Sequence, residues 1–194
     1  DLTGTTIQIK NSNDPLEVNE QRVPTSLLNL AIPLVLLPQD PSQTLGIGTG
    51  VAGDYTLNEL LAGNITGGYS SITFGQPNQN HLIDIGSATA PSTPVLINTP
   101  LTIYGNGITQ YADLLGSGNS SFTSIGTGTG YVLRGNQSVA GNLIINDALI
   151  VHGNRVIEAG GDVLIKLPAG TINGDGDGTA DNLTIRAGGR VVIE

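Results

Sequence analysis

Asn142-Leu-Ile-Ile-Asn146, Asp162-Val-Leu-Ile-Lys166 and Asn182-Leu-Thr-Ile-Arg186 repeat one short phrase, starting at 142, 162 and 182, which is 20 residues apart each time. Leu143, Val163 and Leu183 fall in one column, and Ile145, Ile165 and Ile185 in a second. Apolar residues two apart point to the same face of a strand. A column that returns at a fixed interval means coils stacked on one another, each burying its apolar face against its neighbours. A unit this short cannot hold a pair of helices, and it carries no helical periodicity. The stretch therefore predicts an all-β fold, a parallel β-helix with about 20 residues per coil.

Similar phrases continue toward the N-terminus. The Ile83/Ile85 pair precedes Leu101/Ile103 by 18 residues, Thr123/Ile125 follows that pair by 22, and Leu143/Ile145 comes 20 later. Small turn insertions account for the variation, and the count suggests about nine coils. Second strands within the coils are expected at Leu149/Val151 and Val191/Ile193, and an opening strand at Thr5 to Lys10. Tyr104 to Gly130, rich in Gly and Ser, suits a longer exposed loop. Thr56-Leu-Asn-Glu59 is a capping box followed by Leu60, Leu61 and Gly63, which predicts one short helix at 57–62. Leu27 to Leu37 is the most apolar segment. Its Pro33 and Pro38 argue against a regular central strand, leaving a buried extended stretch or a cover over one end of the solenoid. The chain thus divides into an N-terminal strand and covering segment, 1–54, and β-helix coils, 55–194.

Composition supports this class. Gly 28, Pro 10 and only 12% charged residues suit many tight turns. With 38% hydrophobic residues and a mean hydropathy of +0.09 there is enough apolar surface for a core, and 4% aromatics make that core aliphatic. A net charge of −9 with seven Lys and Arg provides no basic patch, which argues against nucleic acid and against an anionic membrane surface. The absence of Cys removes disulfides, zinc-thiolate sites and Cys nucleophiles. The longest apolar run is too short for membrane insertion as a helix. Opening on Asp1 suggests a mature or excised product. Ending in the strand phrase Arg190 to Glu194 suggests an uncapped solenoid, whose partners would be itself or adjoining segments through end-to-end strand stacking.

The most pointed chemical motif is Asn173-Gly-Asp175-Gly-Asp177-Gly178-Thr179-Ala180-Asp181. Oxygen ligands at alternate positions around a turn glycine match the first nine positions of an acidic calcium loop. Asn173, Asp175, Asp177 and Asp181 would offer side-chain oxygens and Thr179 its carbonyl, with calcium as the cofactor. Position twelve is Thr184 instead of the bidentate Glu of such loops, and the bland alternative is an acidic turn between strands.

Catalysis has little support, because Asp84, Asp113, Asp147, Glu158 and Asp162 are spread over the coils. Asp162 shares a 20-residue column with Asn142 and Asn182, read as a turn ladder. Asn146, Lys166 and Arg186 form another, read as a solvated edge. His81 and His152 are expected at the surface or in turns. No Gly-x-Ser-x-Gly elbow is present.

Asp162-Val-Leu-Ile-Lys166 and Asn182-Leu-Thr-Ile-Arg-Ala-Gly-Gly-Arg-Val-Val-Ile193 resemble the repeats of filamentous-haemagglutinin-like exoproteins. Leu57-Asn-Glu-Leu-Leu followed by Gly68-Tyr-Ser-Ser-Ile-Thr-Phe-Gly75 resembles a segment of very large bacterial surface proteins, cyanobacterial ones in particular. The resemblance covers 55–194. It implies a right-handed parallel β-helix, secreted or held at the bacterial cell surface, serving as an adhesin or structural fibre. The leading expectation is therefore a non-enzymatic extracellular stalk or self-assembling fibre subunit. The alternatives are a module binding surface glycans, with Tyr104, Tyr111 and Tyr131 as stacking platforms, and a polysaccharide-degrading enzyme. An ice-binding β-helix needs a flat, regular array of Thr, and the Thr residues here are scattered along the chain.

Overall fold

The computed structural model describes residues 7–11, 32–38, 40, 42–48, 50–56, 69–126, 130–168 and 171–194. These form strands and turns with no helix, arranged as three parallel sheets. The short helix expected at 57–62 lies outside the described residues.

The first sheet stacks eight strands: β1 (Ile7–Asn11), β2 (Ile32–Pro38), β5 (Tyr69–Phe74), β8 (Leu101–Gly105), β11 (Phe122–Gly126), β14 (Leu143–Asn146), β17 (Val163–Lys166) and β20 (Val191–Ile193). The second runs β4 (Tyr55–Thr56), β3 (Leu45–Ile47), β6 (Leu82–Ile85), β9 (Gly107–Gln110), β12 (Tyr131–Leu133), β15 (Leu149–Val151) and β18 (Ile172–Gly174). The third runs β7 (Val95–Ile97), β10 (Leu114–Gly116), β13 (Gln137–Val139), β16 (Asn154–Ala159) and β19 (Asn182–Ala187). From β5 onward the chain visits the three sheets in rotation, one strand in each per coil. This is a parallel β-helix.

Each strand places alternate residues inside. In the first sheet Leu34, Ile72, Leu101, Phe122, Leu143 and Val163 form one buried column, and Leu36, Phe74, Ile103, Ser124, Ile145 and Ile165 the next. Adjacent strands lie about 4.8 Å apart, so side chains of similar width stack directly on one another. Burying each aliphatic chain contributes roughly 1.5–3 kcal/mol, and repetition along the columns holds the rod together.

The register corrects several readings of the sequence. Leu143 and Val163 do pair, but Val163 is followed by Val191, 28 residues on, and not by Leu183. Leu183 and Ile185 lie in the third sheet, opposite Arg155 and Ile157. Ile83 and Ile85 lie in the second sheet, between Leu45/Ile47 and Ile108/Gln110. In β11 the buried pair is Phe122 and Ser124, opposite Leu101 and Ile103, so Thr123 and Ile125 face outward. A slip of one residue exchanges the faces of a strand, and the bulky Phe122 settles it. Val191–Ile193 opens a new coil in the first sheet and is not a second strand.

The described residues of the Tyr104–Gly130 region, expected as a longer exposed loop, are mostly strand. They carry the end of β8 and all of β9, β10 and β11. Pro33 and Pro38 do not keep Ile32–Pro38 out of the sheet: β2 is central, between β1 and β5. Pro33 sits where the register to β5 shifts and Pro38 is the last residue of the strand, two places where a missing amide hydrogen is tolerated.

Candidate metal centre

Turns are built like the strands, by stacking equivalent groups. At the turn entering the first sheet, the Asp162 amide donates to Asn142 Oδ1 at 2.9 Å and the Arg190 amide donates to Asp162 Oδ1 at 2.8 Å. The Asn142–Asp162 ladder expected from the sequence is present, but it continues to Arg190 and not to Asn182. The Arg190 guanidinium lies 3.3 Å from the Asp162 carboxylate. Hydrogen bonds from Arg190 hold that carboxyl below its ordinary pKa. Asn182 instead donates to Asn154 Oδ1 at 2.8 Å. Likewise the edge column runs Asn146, Lys166, Glu194, with Lys166 Nζ 3.3 Å from Glu194, while Arg186 pairs with Glu158 in the third sheet.

Between the coils of β17 and β20 the chain makes its acidic excursion. Asn173 is the exposed central residue of β18, opposite Ile150. Beyond it, Asp175, Asp177, Thr179 and Asp181 fold into consecutive tight turns. The Asp177 amide donates to Asp175 Oδ1 at 3.0 Å, and the amide and hydroxyl of Thr179 both donate to Asp177 Oδ1, at 2.7 and 2.6 Å. Those Thr179 bonds hold the Asp177 carboxyl below the usual range. Asp181 faces back into the stack: one carboxylate oxygen accepts from the Gly153 amide, the other from the Asp175 amide at 3.1 Å. Gly176 and Gly178 adopt φ of +76° and +87°, which glycine adopts without strain.

The loop also meets His152, which the sequence places at the surface or in a turn and not beside the acidic motif. Val151 is paired with Gly174, so the next position on each strand brings His152 over Asp175. His152 Nδ1 is 3.0 Å from Asp175 Oδ2. One potential ligand atom from each of His152, Asp175 and Asp177 lies within 4.8 Å of the other two. Among the described residues this is the group of three or more His, Cys, Asp or Glu so gathered, and Asp181 is outside it. The signal that finds His152 is the pairing of Leu149-Ile-Val151 with Ile172-Asn-Gly174, hidden because Asn and Gly weaken the second phrase as a strand.

Other titratable groups stand apart. His81, expected at the surface or in a turn, is fully buried, with Nδ1 2.9 Å from the Gln43 carbonyl and Nε2 without a partner. Asp147 is 5% exposed; Oδ1 accepts from the Ala148 amide at 2.8 Å, while the buried Oδ2 has no partner. Burial pushes its carboxyl upward. The tyrosines named as glycan platforms separate too. Tyr131 is fully buried, Tyr104 is on the outer face of the first sheet, and Tyr111 follows β9 with the Arg134 guanidinium 5.9 Å from its ring centre.

Comparison of the chain with protein-family models, with curated proteins and with solved structures finds no match to any of them. The fold and the corner geometry define a parallel β-helix with an acidic loop at one corner.

Proposed function

We propose that this chain is a non-enzymatic, rod-forming element of a bacterial cell surface, extracellular and serving as an adhesive stalk or fibre segment of the filamentous-haemagglutinin-like kind. The observation that carries the reading is the unbroken first sheet, in which eight strands pair in parallel and those from β2 to β17 share two inward columns. Parallel coils pair the edges of every internal strand and give a stiff body. At β20 the same columns stand open: Val191 and Ile193 are 47% and 51% exposed, where Val163 and Ile165 are 0%. A further coil, from a copy or an adjoining segment, would cover them by strand addition.

Two features support the absence of catalysis. Asp175 and Asp177, two carboxylates gathered in one loop, already accept turn amides. Moreover, Asp177 has a lowered pKa, whereas a glycosidase acid needs a raised one. Glycan stacking on three tyrosines loses support with Tyr131 in the core.

The test is negative-stain microscopy of the purified chain beside the double variant Val191→Pro, Ile193→Lys, which removes a strand donor and charges the open column. Fibres or rods lengthening with concentration in the parent, and single short rods in the variant with an unchanged circular dichroism spectrum, are expected. Equal assembly in both would remove stacking at this end, and turnover of a polyuronate panel would remove the non-enzymatic reading.

A further inference from the structure

We propose that His152, Asp175 and Asp177 form a site for a borderline divalent transition metal of the Zn2+ class, which pins the corner after β15 to the loop after β18. The site goes beyond the calcium loop expected from the sequence, because its first ligand is an imidazole from a different coil. The β15–β18 ladder, and not the loop, sets His152 over Asp175, since Val151 and Gly174 are register partners. Two residues 23 positions apart, 152 and 175, are therefore brought to 3.0 Å by the stacking of the solenoid itself.

The donor set selects the metal. Imidazole with carboxylate suits Zn2+, Co2+ and Ni2+, while Ca2+ takes six to eight oxygens. Bonds of about 2.0–2.2 Å in a tetrahedral arrangement place ligand atoms roughly 3.3 Å apart. The His152–Asp175 pair is already near that separation, and the third ligand atom lies within 4.8 Å of both. The calcium set is meanwhile divided. Asp181 has both oxygens on backbone amides, and Asn173 belongs to the strand opposite Ile150. Asp177 keeps Oδ2 for a ligand, its Oδ1 being held by Thr179. Water would complete the coordination, as His152 and Asp175 are partly exposed and Asp177 is exposed. At the equivalent position one coil back, Arg134 follows Leu133, the partner of Val151, and stands 5.9 Å from the Tyr111 ring centre; Arg155, beyond the same turn as His152, donates to the Asn154 carbonyl at 3.0 Å.

The chain makes the experiment simple. It has two histidines and no cysteine, and the other histidine is fully buried. Titrate the untagged chain with Zn2+ and, separately, Ca2+ by calorimetry, and with Co2+ by visible absorption. Repeat with His152→Ala and Asp177→Asn, checking each variant's circular dichroism. The expected result is one Zn2+ per chain, a Co2+ band in the visible, Zn2+ binding weakened about tenfold or more in either variant, and a melting temperature raised by Zn2+ only in the parent. Absence of Zn2+ binding, or binding unchanged by His152→Ala, overturns the proposal. So does Ca2+ binding that is tighter than Zn2+ binding and indifferent to His152, which would make this an all-oxygen loop.

Discussion

Inside the middle coils three buried polar side chains make a network in which Gln137 Oε1 alone of their side-chain polar atoms has no partner, and removing them one at a time should give very unequal effects. Gln110 Nε2 donates to the Ala112 and Asn136 carbonyls, each at 2.9 Å. Gln110 Oε1 accepts from Tyr131 Oη and from Gln137 Nε2, each at 2.7 Å, and Gln137 Nε2 also donates to Tyr131 Oη at 2.7 Å. Burial pushes the Tyr131 phenol upward, so it stays protonated and keeps its donor role. Tyr131→Phe leaves Gln110 and Gln137 bonded to each other, so no further group is stranded and the cost is about 1 kcal/mol. Gln110→Leu, similar in volume, removes the side-chain donor to the Ala112 carbonyl and the acceptor for the Tyr131 hydroxyl. Two stranded groups at about 1–3 kcal/mol each give about 2–6 kcal/mol. In the double variant the stranded hydroxyl is gone but Gln137 Nε2 has lost both its acceptors; the Tyr131–Gln110 bond, broken in each single variant, is lost only once, so the cost falls below the sum of the singles by about 1 kcal/mol. Urea unfolding followed by far-ultraviolet circular dichroism reads all three. Equal costs for the two single variants, or additivity within about 0.5 kcal/mol, would refute the network as the source of the effect.

Three further perturbations test other parts of the structure. The folded-state pKa of Asp147 is raised above 3.8, so its contribution to stability is fully present below that value and is lost as pH rises through the folded pKa. Asp147→Asn keeps the bond from the Ala148 amide, and should raise the melting temperature at neutral pH while flattening its fall above pH 3.8; an unchanged pH slope would count against this. A methyl at Gly160 would collide with the Ala140 carbonyl and one at Gly176 would meet open space. Gly160→Ala should therefore cost about 1–3 kcal/mol or more through backbone displacement, and Gly176→Ala about 1–2 through its left-handed φ alone; chemical denaturation compares them, and a larger loss at Gly176 would contradict the packing. Ile165→Ala should cost about 2–5 kcal/mol and Ile193→Ala less than half as much in dilute chain, a gap that narrows with concentration if copies stack on β20. A gap independent of concentration would speak against stacking there.

The period-two pattern of Leu143, Ile145, Val163 and Ile165 was legible because both columns are apolar and their coil contains no insertion. That pattern fixes which face of a strand is buried, but it does not say to which of three sheets the strand belongs. Asn182-Leu-Thr-Ile-Arg186 has the same phrase and the same interval, yet lies in the third sheet, because the acidic excursion occupies the space between β18 and β19. The better ruler was the turn. Ala159-Gly-Gly-Asp-Val163 and Ala187-Gly-Gly-Arg-Val191 are 28 residues apart, and each places a glycine where a side chain would strike the carbonyl of the coil below. Steric demand ties those glycines to one corner of the coil, whereas apolar pairs recur on every side.

The same distinction explains the candidate metal centre. Asp175, Asp177 and Asp181 were legible as an acidic turn because their alternation with glycine is local. His152 was not, because its place beside Asp175 depends on which strands pair, and pairing is long-range information that a loop motif does not contain. Once Leu149–Val151 is set against Ile172–Gly174, the histidine follows from counting one residue past each strand. In a solenoid, then, a site is read across the coils at a fixed corner, and ligands from 152, 175 and 177 are neighbours for the same reason that Val151 and Gly174 are. A consequence is that adding one residue between Val151 and His152 should abolish Zn2+ binding while leaving the acidic loop's own hydrogen bonds intact. Full Zn2+ affinity after that insertion would mean that the loop, and not the stack, holds the metal.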